Sequence, residues 1–506
     1  MSAFPTLSLN GTWSFTTDPQ ERGERDGWHE RTSGFGRQVE VPSAWQLYGR
    51  DLLHYTGSAW YYRACEVPAD WAGRTVRLFV GASDYLTRVW INGALVGEHA
   101  GGYTPFAFDL TDHARPGETN HLVIRVYDPN DYGDIPHGQQ GSHFTRVSGI
   151  WQGLHLEARP GLFVERLLPR TWLNPERVEA EVTLSAPESG AVVRFALKDH
   201  TGAVVATTEA TAENGLARGW LEVPGGRRWS PDDPYLYTLS AAVGQNADTD
   251  SVSCHVGLRA VMAVDGRLYL NDQLLPLRGA VDHGYWPETL YAAPSDEEIQ
   301  REIRLAKEAG VNVLRKHGKI EDPRFLDWCD RLGMLVWVEA PSCDRWTPQA
   351  RRRFLSDLHA MVARDAFRPS IIAWTLYQSG RGLQGANTEM QPWLRNVHDE
   401  IAAADPTRPI CTHAGGSSMR TDVIDEHRRY GMPEESRELH TALAGELPAA
   451  GAPRLASEFG HWGLPTGFDG LTSEHGWLLE GGPAALSDEA KNPLTAQRNF
   501  ERYKLA

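Results

Sequence analysis

Two apolar runs in the second half of the chain end in polar residues. IIAWTLYQSGRG, residues 371–382, stays apolar until Gln378-Ser379. RLASEFGHWGLP, residues 454–465, turns polar at Glu458. Other apolar runs of this half end in Asp282 and His283, in Arg315 and His317, in Glu339, in His413, and in Asp425 and His427. If the runs are parallel strands of one barrel, their ends share one rim and these residues converge on one pocket. Taken singly, each is read first as a rim residue satisfied by its neighbours; as a convergent set they point to a site. A carboxylate such as Glu458 can attack as a nucleophile or take a proton. A Ser hydroxyl without an adjacent base does neither well. The four histidines form no HxH or HExxH pattern and lie on different runs, so no metal site and no cofactor are expected.

The elements needed to hold such a rim are legible from about residue 263 onward. SDEEIQREIRLAKEAG opens with a capping box at Ser295 and Glu298, repeats apolar residues at Ile299, Ile303 and Ala306, and stops at Gly310. DPRFLDWCDRLG carries Pro323 at its start, and TPQARRRFLSDLHAMVARD has Thr347 as N-cap and Pro348 behind it. The Arg351–Arg353 run is expected on the solvated face of that helix. Between the helices lie continuously apolar strands, the pattern of a parallel sheet buried on both faces. Seven strands are counted from LPLRGA to RLASEF. An eighth is not found: only 48 residues follow Glu458, rich in Gly and Pro and ending in the helical PLTAQRNFERYKLA. The barrel is therefore expected to be of (β/α)8 type and C-terminally incomplete.

Upstream, residues 1–160 alternate short strands with Gly, Pro, Asp and Asn clusters. WINGALVG, with apolar residues on both sides of Asn-Gly, is a hairpin signal. This region reads as a jelly-roll sandwich. Residues 161–262 repeat the style and fit a seven-strand immunoglobulin-like sandwich. The remainder, 263–506, is the barrel domain. The chain is thus multidomain, β plus α/β.

A net charge of -16 argues against a nucleic-acid partner held by a general basic surface. No apolar run approaches membrane-spanning length, so no membrane partner is expected. The start, MSAFPTLSLNGTWSF, lacks a basic region followed by an apolar one, which favours the cytoplasm. Cys65, Cys254, Cys329, Cys343 and Cys411 are scattered and odd in number, and read as reduced core thiols. Some of the 18 tryptophans can offer stacking faces to a flat apolar ligand surface, sugar rings among them. The sequence leaves a homo-oligomer open.

At this point the chain resembles the family 2 glycoside hydrolases, the β-galactosidase, β-glucuronidase and β-mannosidase superfamily. The likeness is carried by LNGTWSF, VPSAW, VWINGALVGEHAGGYTPFAFDLT and VSGIWQGLHLE, by WSPDDPYLYTL, and by LRGAVDHGYWPETLYAAPSDEEI, GVNVLRKHGKIEDPRFLDWCDRLGMLVWVEAP, PSIIAWTLY and SEFGHWGLP, in that order. The resemblance implies a retaining exo-glycosidase with two catalytic carboxylates and a small-molecule glycoside as partner. The nucleophile is implied at Glu458. The acid/base, the Glu of a W-x-x-x-N-E stretch, falls on Ser379, and its neighbouring Asn falls on Gln378, counting from Trp374. The chain thus resembles a two-carboxylate enzyme in which one carboxylate is replaced. Asp282, Arg315, His317, Trp337, Glu339, His427, Tyr430 and Trp462 are expected to line the sugar site, with Asp128 reaching in from the jelly roll. Glu389 is a further candidate for a substitute acid. Hydrolysis limited to activated or special substrates, or repurposed chemistry, is the leading expectation; a catalytically inactive carbohydrate-binding protein is the alternative.

Overall fold

The computed structural model of the chain describes residues 4–141, 144–244, 249–286, 288–378, 382, 390–415, 420–427 and 452–458. In the first region a six-stranded sheet, ordered Arg37–Val41, Gly11–Asp18, Gly57–Glu66, Thr119–Asp128, Leu86–Ile91, Ala94–Ala100, packs on a four-stranded one. Leu9, Trp13, Phe15, Tyr61, Leu78, Leu122 and Ile124 fill the space between them. The Asn92-Gly93 turn takes positive φ at both residues, 52° and 85°, and joins Leu86–Ile91 to Ala94–Ala100. Two adjacent positive φ values match the twist of the hairpin they close, which is why Asn-Gly suits it.

Next comes a sandwich of three and four strands, from Val164–Leu173 to Asp250–Val256. Its apolar residues form a cluster of their own around Val178, Phe195, Leu239 and Val256. A hairpin, Val261–Val264 with Arg267–Leu270, then runs across the boundary expected at 262. Val261, Leu268 and Leu270 pack with Val313, Leu335 and Trp337, so the hairpin closes the floor of the barrel.

The barrel strands are Gly279–Asp282, Val313–Lys316, Leu335–Glu339, Ile371–Tyr377 and Ile410–His413, parallel and hydrogen-bonded in chain order. A second parallel pair follows, Ile424–His427 with Arg454–Glu458, and it lies beside Ile410–His413 on one side and Gly279–Asp282 on the other. Four helices are described: α1 (Asp296–Glu308), α2 (Pro323–Leu332), α3 (Pro348–Asp365) and α4 (Met390–Ala404). The Ser295 hydroxyl accepts the Glu298 N–H at 3.3 Å, and the Thr347 hydroxyl accepts the Ala350 N–H at 3.0 Å. Each bond satisfies an N–H that the first helical turn leaves without a partner.

The jelly roll and the barrel share one apolar cluster. Ala82, Tyr103, Val147 and Trp151 from the first region pack with Tyr291, Ile320, Phe354 and Leu358 of the barrel. Arg353 belongs to this contact: its guanidinium reaches the Asp134 carbonyl at 3.5 Å and lies over the Tyr85 ring. That arginine therefore bridges two domains instead of facing solvent. Among the described residues no helix is long and apolar enough to cross a membrane.

Candidate active site at the barrel rim

Side chains alternate between the two faces of a strand, so register decides which residues enter the barrel. Val313, Leu335, Trp337, Ala373, Cys411 and Val423 form the interior cluster with Trp229 and the floor hairpin. Arg315, Glu339, Thr375 and Asp425 continue the same alternation toward the C-terminal rim. Trp337 is 3% exposed and its indole N–H donates to the Thr375 hydroxyl at 2.7 Å. It is a plug beneath the rim, not a wall of the mouth where the sequence reading had put it.

Above the plug sits a buried polar group. Glu339 is fully buried. Its Oε2 accepts from Arg315 Nη2, and its Oε1 lies 3.2 Å from His317 Nε2. Arg315 also lies 3.8 Å from Asp425, whose carboxylate is 3.3 Å from His427 Nε2. The Gln378 amide nitrogen is 2.8 Å from His317 Nε2. The ring nitrogen takes one role at a time: unprotonated it accepts from the amide, protonated it donates to Glu339. The His283 ring lies beside that of His317, with centroids 4.8 Å apart. Arg315, His317, Glu339, Gln378, Asp425 and His427 thus come together at the ends of adjacent strands. The backbone of Glu458 pairs with His427, which sets the seventh strand tip at this rim. Among the described residues no group of three or more His, Cys, Asp and Glu is set to hold a metal ion.

Two more of the expected residues are not brought here. Asp282 pairs in register with Lys316, and both point away from the barrel interior. Its carboxylate is bonded to Lys316 Nζ and accepts the Gly284 N–H at 2.7 Å. Burial pushes this carboxyl up, but Lys316, the Gly284 amide and Lys319 outweigh that and hold it below the usual range. Asp128 is closed inside the first region, bonded to Arg146 and Ser148. Burial drives its carboxyl upward, as it does for nearby Asp84, which is pushed up to about 8 by burial and by the charge of Asp128. Ser379, Glu389, Tyr430, Trp462 and the side chain of Glu458 lie outside the described residues.

The residue that does arrive from the first region is Gln139, whose amide nitrogen is 3.4 Å from His317 Nε2. It rides on the long connection after Asp128. Asp131 binds Arg345 through two contacts of 2.7 and 2.9 Å, and Arg345 N–H donates to the Gly133 carbonyl at 2.9 Å. His137 N–H donates to the Ser342 carbonyl at 3.3 Å, and His137 Nε2 lies 3.0 Å from Asp344. At Gly138 (φ 59°) a Cβ would fall 1.8 Å from the Gly318 carbonyl oxygen, so only glycine allows this approach. The signal available in the sequence was the connection itself: a long, irregular, Gly- and Pro-punctuated segment between strands is a common carrier of binding residues.

The chain was compared with known proteins. The sugar binding domain of glycosyl hydrolases family 2 matches residues 6–160, glycosyl hydrolases family 2 matches 164–259, and the TIM barrel domain of glycosyl hydrolases family 2 matches 261–469. A β-glucuronidase of Paenibacillus borealis is 27% identical over 440 residues, spanning 79% of this chain and 72% of that protein. The structure of a β-glucuronidase from Ruminococcus gnavus in complex with D-glucuronic acid superposes with a TM-score of 0.80 at 21% identity, covering 100% of this chain and 90% of that one. A Lactobacillus rhamnosus β-glucuronidase gives a TM-score of 0.80 at 22% identity, covering 91% and 84%. From residue 6 to residue 469 the chain is therefore built of glycosyl hydrolases family 2 domains, in the order sugar-binding domain, middle domain and TIM barrel.

Proposed function

We propose that the rim binds the sugar ring of a glycoside and that Glu458 attacks its anomeric carbon, in a protein whose family acid/base position holds Ser379. The observation that carries this reading is the buried Arg315–Glu339–His317–Gln378 group, set where a family 2 barrel performs its chemistry and beside the strand that ends at Glu458. Such pre-bonded polar side chains offer a sugar hydroxyl a ready lattice of donors and acceptors. A retaining mechanism uses one carboxyl group first to protonate the departing oxygen and then to deprotonate the attacking water. General acid–base catalysis of this kind contributes about 10²–10⁴-fold. With Ser379 in that position, activated glycosides are the substrates of choice. The named relatives direct the first choice of sugar to a β-D-glucuronide.

The test is a 2-fluoro glucuronide carrying a good leaving group. Intact-mass measurement is expected to show one added sugar, located on Glu458 and absent from Glu458→Gln. Ser379→Glu with Gln378→Asn is expected to raise hydrolysis of unactivated glucuronides by about 10²-fold or more. A protein that binds glucuronate but neither labels at Glu458 nor gains activity from the double substitution is a carbohydrate-binding protein. The replacement of the acid/base residue favours this second reading.

A further inference from the structure

A cleft of about 510 Å³ lies between the jelly roll and the barrel, within the size range of small-molecule sites. None of the residues gathered at the rim lines it. Its jelly-roll wall carries Asn10, Phe79 and Gln152, and its barrel wall carries Pro294, Pro323 and Arg324. Two side-chain amides stand there over glycines. Gln152 is 8% exposed, and its Nε2 is buried with no hydrogen-bond partner among the described residues. Its backbone is held, the N–H donating to the Ala82 carbonyl at 3.2 Å. At Gly81, which also lines the cleft, a Cβ would lie 2.9 Å from the Gln152 Cβ and 3.2 Å from its Oε1, so the bare glycine makes room for that side chain. At Gly153 a Cβ would lie 3.2 Å from both Oδ1 and Nδ2 of Asn10. Asn10 Oδ1 accepts the Leu154 N–H at 3.0 Å, which fixes the amide with Nδ2 as its remaining donor. A buried amide without a partner lowers stability, and a ligand that bonds to it accounts for its being there.

The charges of the cleft are already matched. Arg324 Nε and Nη2 donate to Asp322 at 3.1 and 2.9 Å, and Nη1 donates to Asp296 at 3.2 Å. Apolar faces come from the proline rings and from Phe79, half-buried and backed by the His155 ring with centroids 4.9 Å apart. We propose that this cleft binds a neutral pyranose residue of a glycan, at a site separate from the rim. Amides set donors and acceptors side by side, as neighbouring sugar hydroxyls require, and the aromatic and proline rings take the flat C–H face of the sugar. An ionised sugar gains nothing from a guanidinium that two aspartates already occupy. The site needs neither Glu458 nor Ser379, and it is built by two domains together.

The experiment is titration calorimetry of the full chain with the methyl β-glycosides of glucose, galactose, mannose and xylose, and with methyl β-D-glucuronide. The wild type, Gln152→Leu, Phe79→Ala and Glu339→Gln are compared, with thermal unfolding of each. At least one neutral glycoside is expected to bind the wild type. Gln152→Leu and Phe79→Ala are each expected to weaken that binding about tenfold or more, while Glu339→Gln at the rim leaves it unchanged. Gln152→Leu is expected to unfold no lower than the wild type, because it removes an unbonded buried amide. Binding of none of the four neutral glycosides, or binding that both cleft variants keep, overturns the proposal. So does binding that Glu339→Gln abolishes, or a glucuronide weakened by the cleft variants as much as the neutral sugar. A clearly lower unfolding temperature for Gln152→Leu also overturns it, since the fold itself would then be holding the amide.

Discussion

Arg315 and Lys316 are neighbours on one barrel strand, and each anchors a buried set of charges on opposite faces of the same sheet. Inside the barrel, Arg315 meets Glu339 and Asp425, with His317 and His427 at the edge. Outside it, Lys316 meets Asp282 and, at 2.8 Å, Glu321, and lies over the Phe325 ring. Lys319 joins that outer set, 2.7 Å from Glu321 and donating to the Gly284 and Tyr291 carbonyls at 2.8 and 3.0 Å. The outer set is enclosed by α1, α2 and the loop after the first strand. The inner set ends at a rim, next to amides from Gln378 and Gln139. Burial of charge is common to both and marks neither as a site. What separates them is place: the inner set lies at the C-terminal strand ends beside the strand that ends at Glu458, and the outer one is packed under α1 and α2.

The largest effect expected from breaking this comparison is on stability. Lys316→Met leaves Asp282 and Glu321 buried without their shared cation, and is expected to cost about 3–5 kcal/mol in urea unfolding. Glu339→Gln keeps Asp425 near Arg315 and an oxygen facing it, so a cost of about 1–3 kcal/mol is expected, with a tenfold or greater loss of glucuronate affinity by calorimetry. If the two substitutions cost the same stability and Glu339→Gln binds glucuronate normally, the inner set is structural like the outer one.

The smallest expected effect is a pH dependence to which the outer set contributes. Burial pushes the Glu302 carboxyl on α1 up to about 8, with Lys316 opposing and Asp282 adding to the rise. A carboxyl group raised on folding is protonated in the native state while the unfolded chain has already lost its proton. Its contribution is therefore complete below about pH 4, the unfolded value, and declines as pH rises toward 8. Asp84 and Asp357, also pushed up to about 8 by burial, act with the same sign. Unfolding midpoints measured from pH 5 to 9 are expected to fall, and Glu302→Gln is expected to flatten part of that slope. An unchanged slope in Glu302→Gln would place the effect in the other two groups.

Most of the architecture was legible because its signals are local. The Ser295 and Thr347 caps, the Asn92-Gly93 turn and the continuously apolar strands each follow from a few adjacent residues. The site was legible in its parts but not in its orientation. Arg315, His317 and Glu339 were expected together and lie together. Asp282 carries the same kind of signal, a charge at a strand end, yet a single step of register turns it to Lys316. Trp337 shares the interior face with Glu339 but lies one layer deeper, and depth along a strand is not written in residue type. Gln139 and the His137–Asp344 contact join residues about two hundred positions apart, and no local pattern reports such a meeting.

The apolar cluster that Tyr103, Val147 and Trp151 share with Phe354 and Leu358 bears on heredity as well as on packing. The middle sandwich keeps its own cluster but is also tied to the barrel, its Trp229 seated among Val313, Leu335 and Trp337 and donating to the Asp330 carbonyl at 2.8 Å. The first and third segments cannot be traded separately: a barrel given a foreign jelly roll would present an oily flank and lose its rim connection at once. The first and third segments are therefore expected to change in concert across lineages at the residues of this shared cluster.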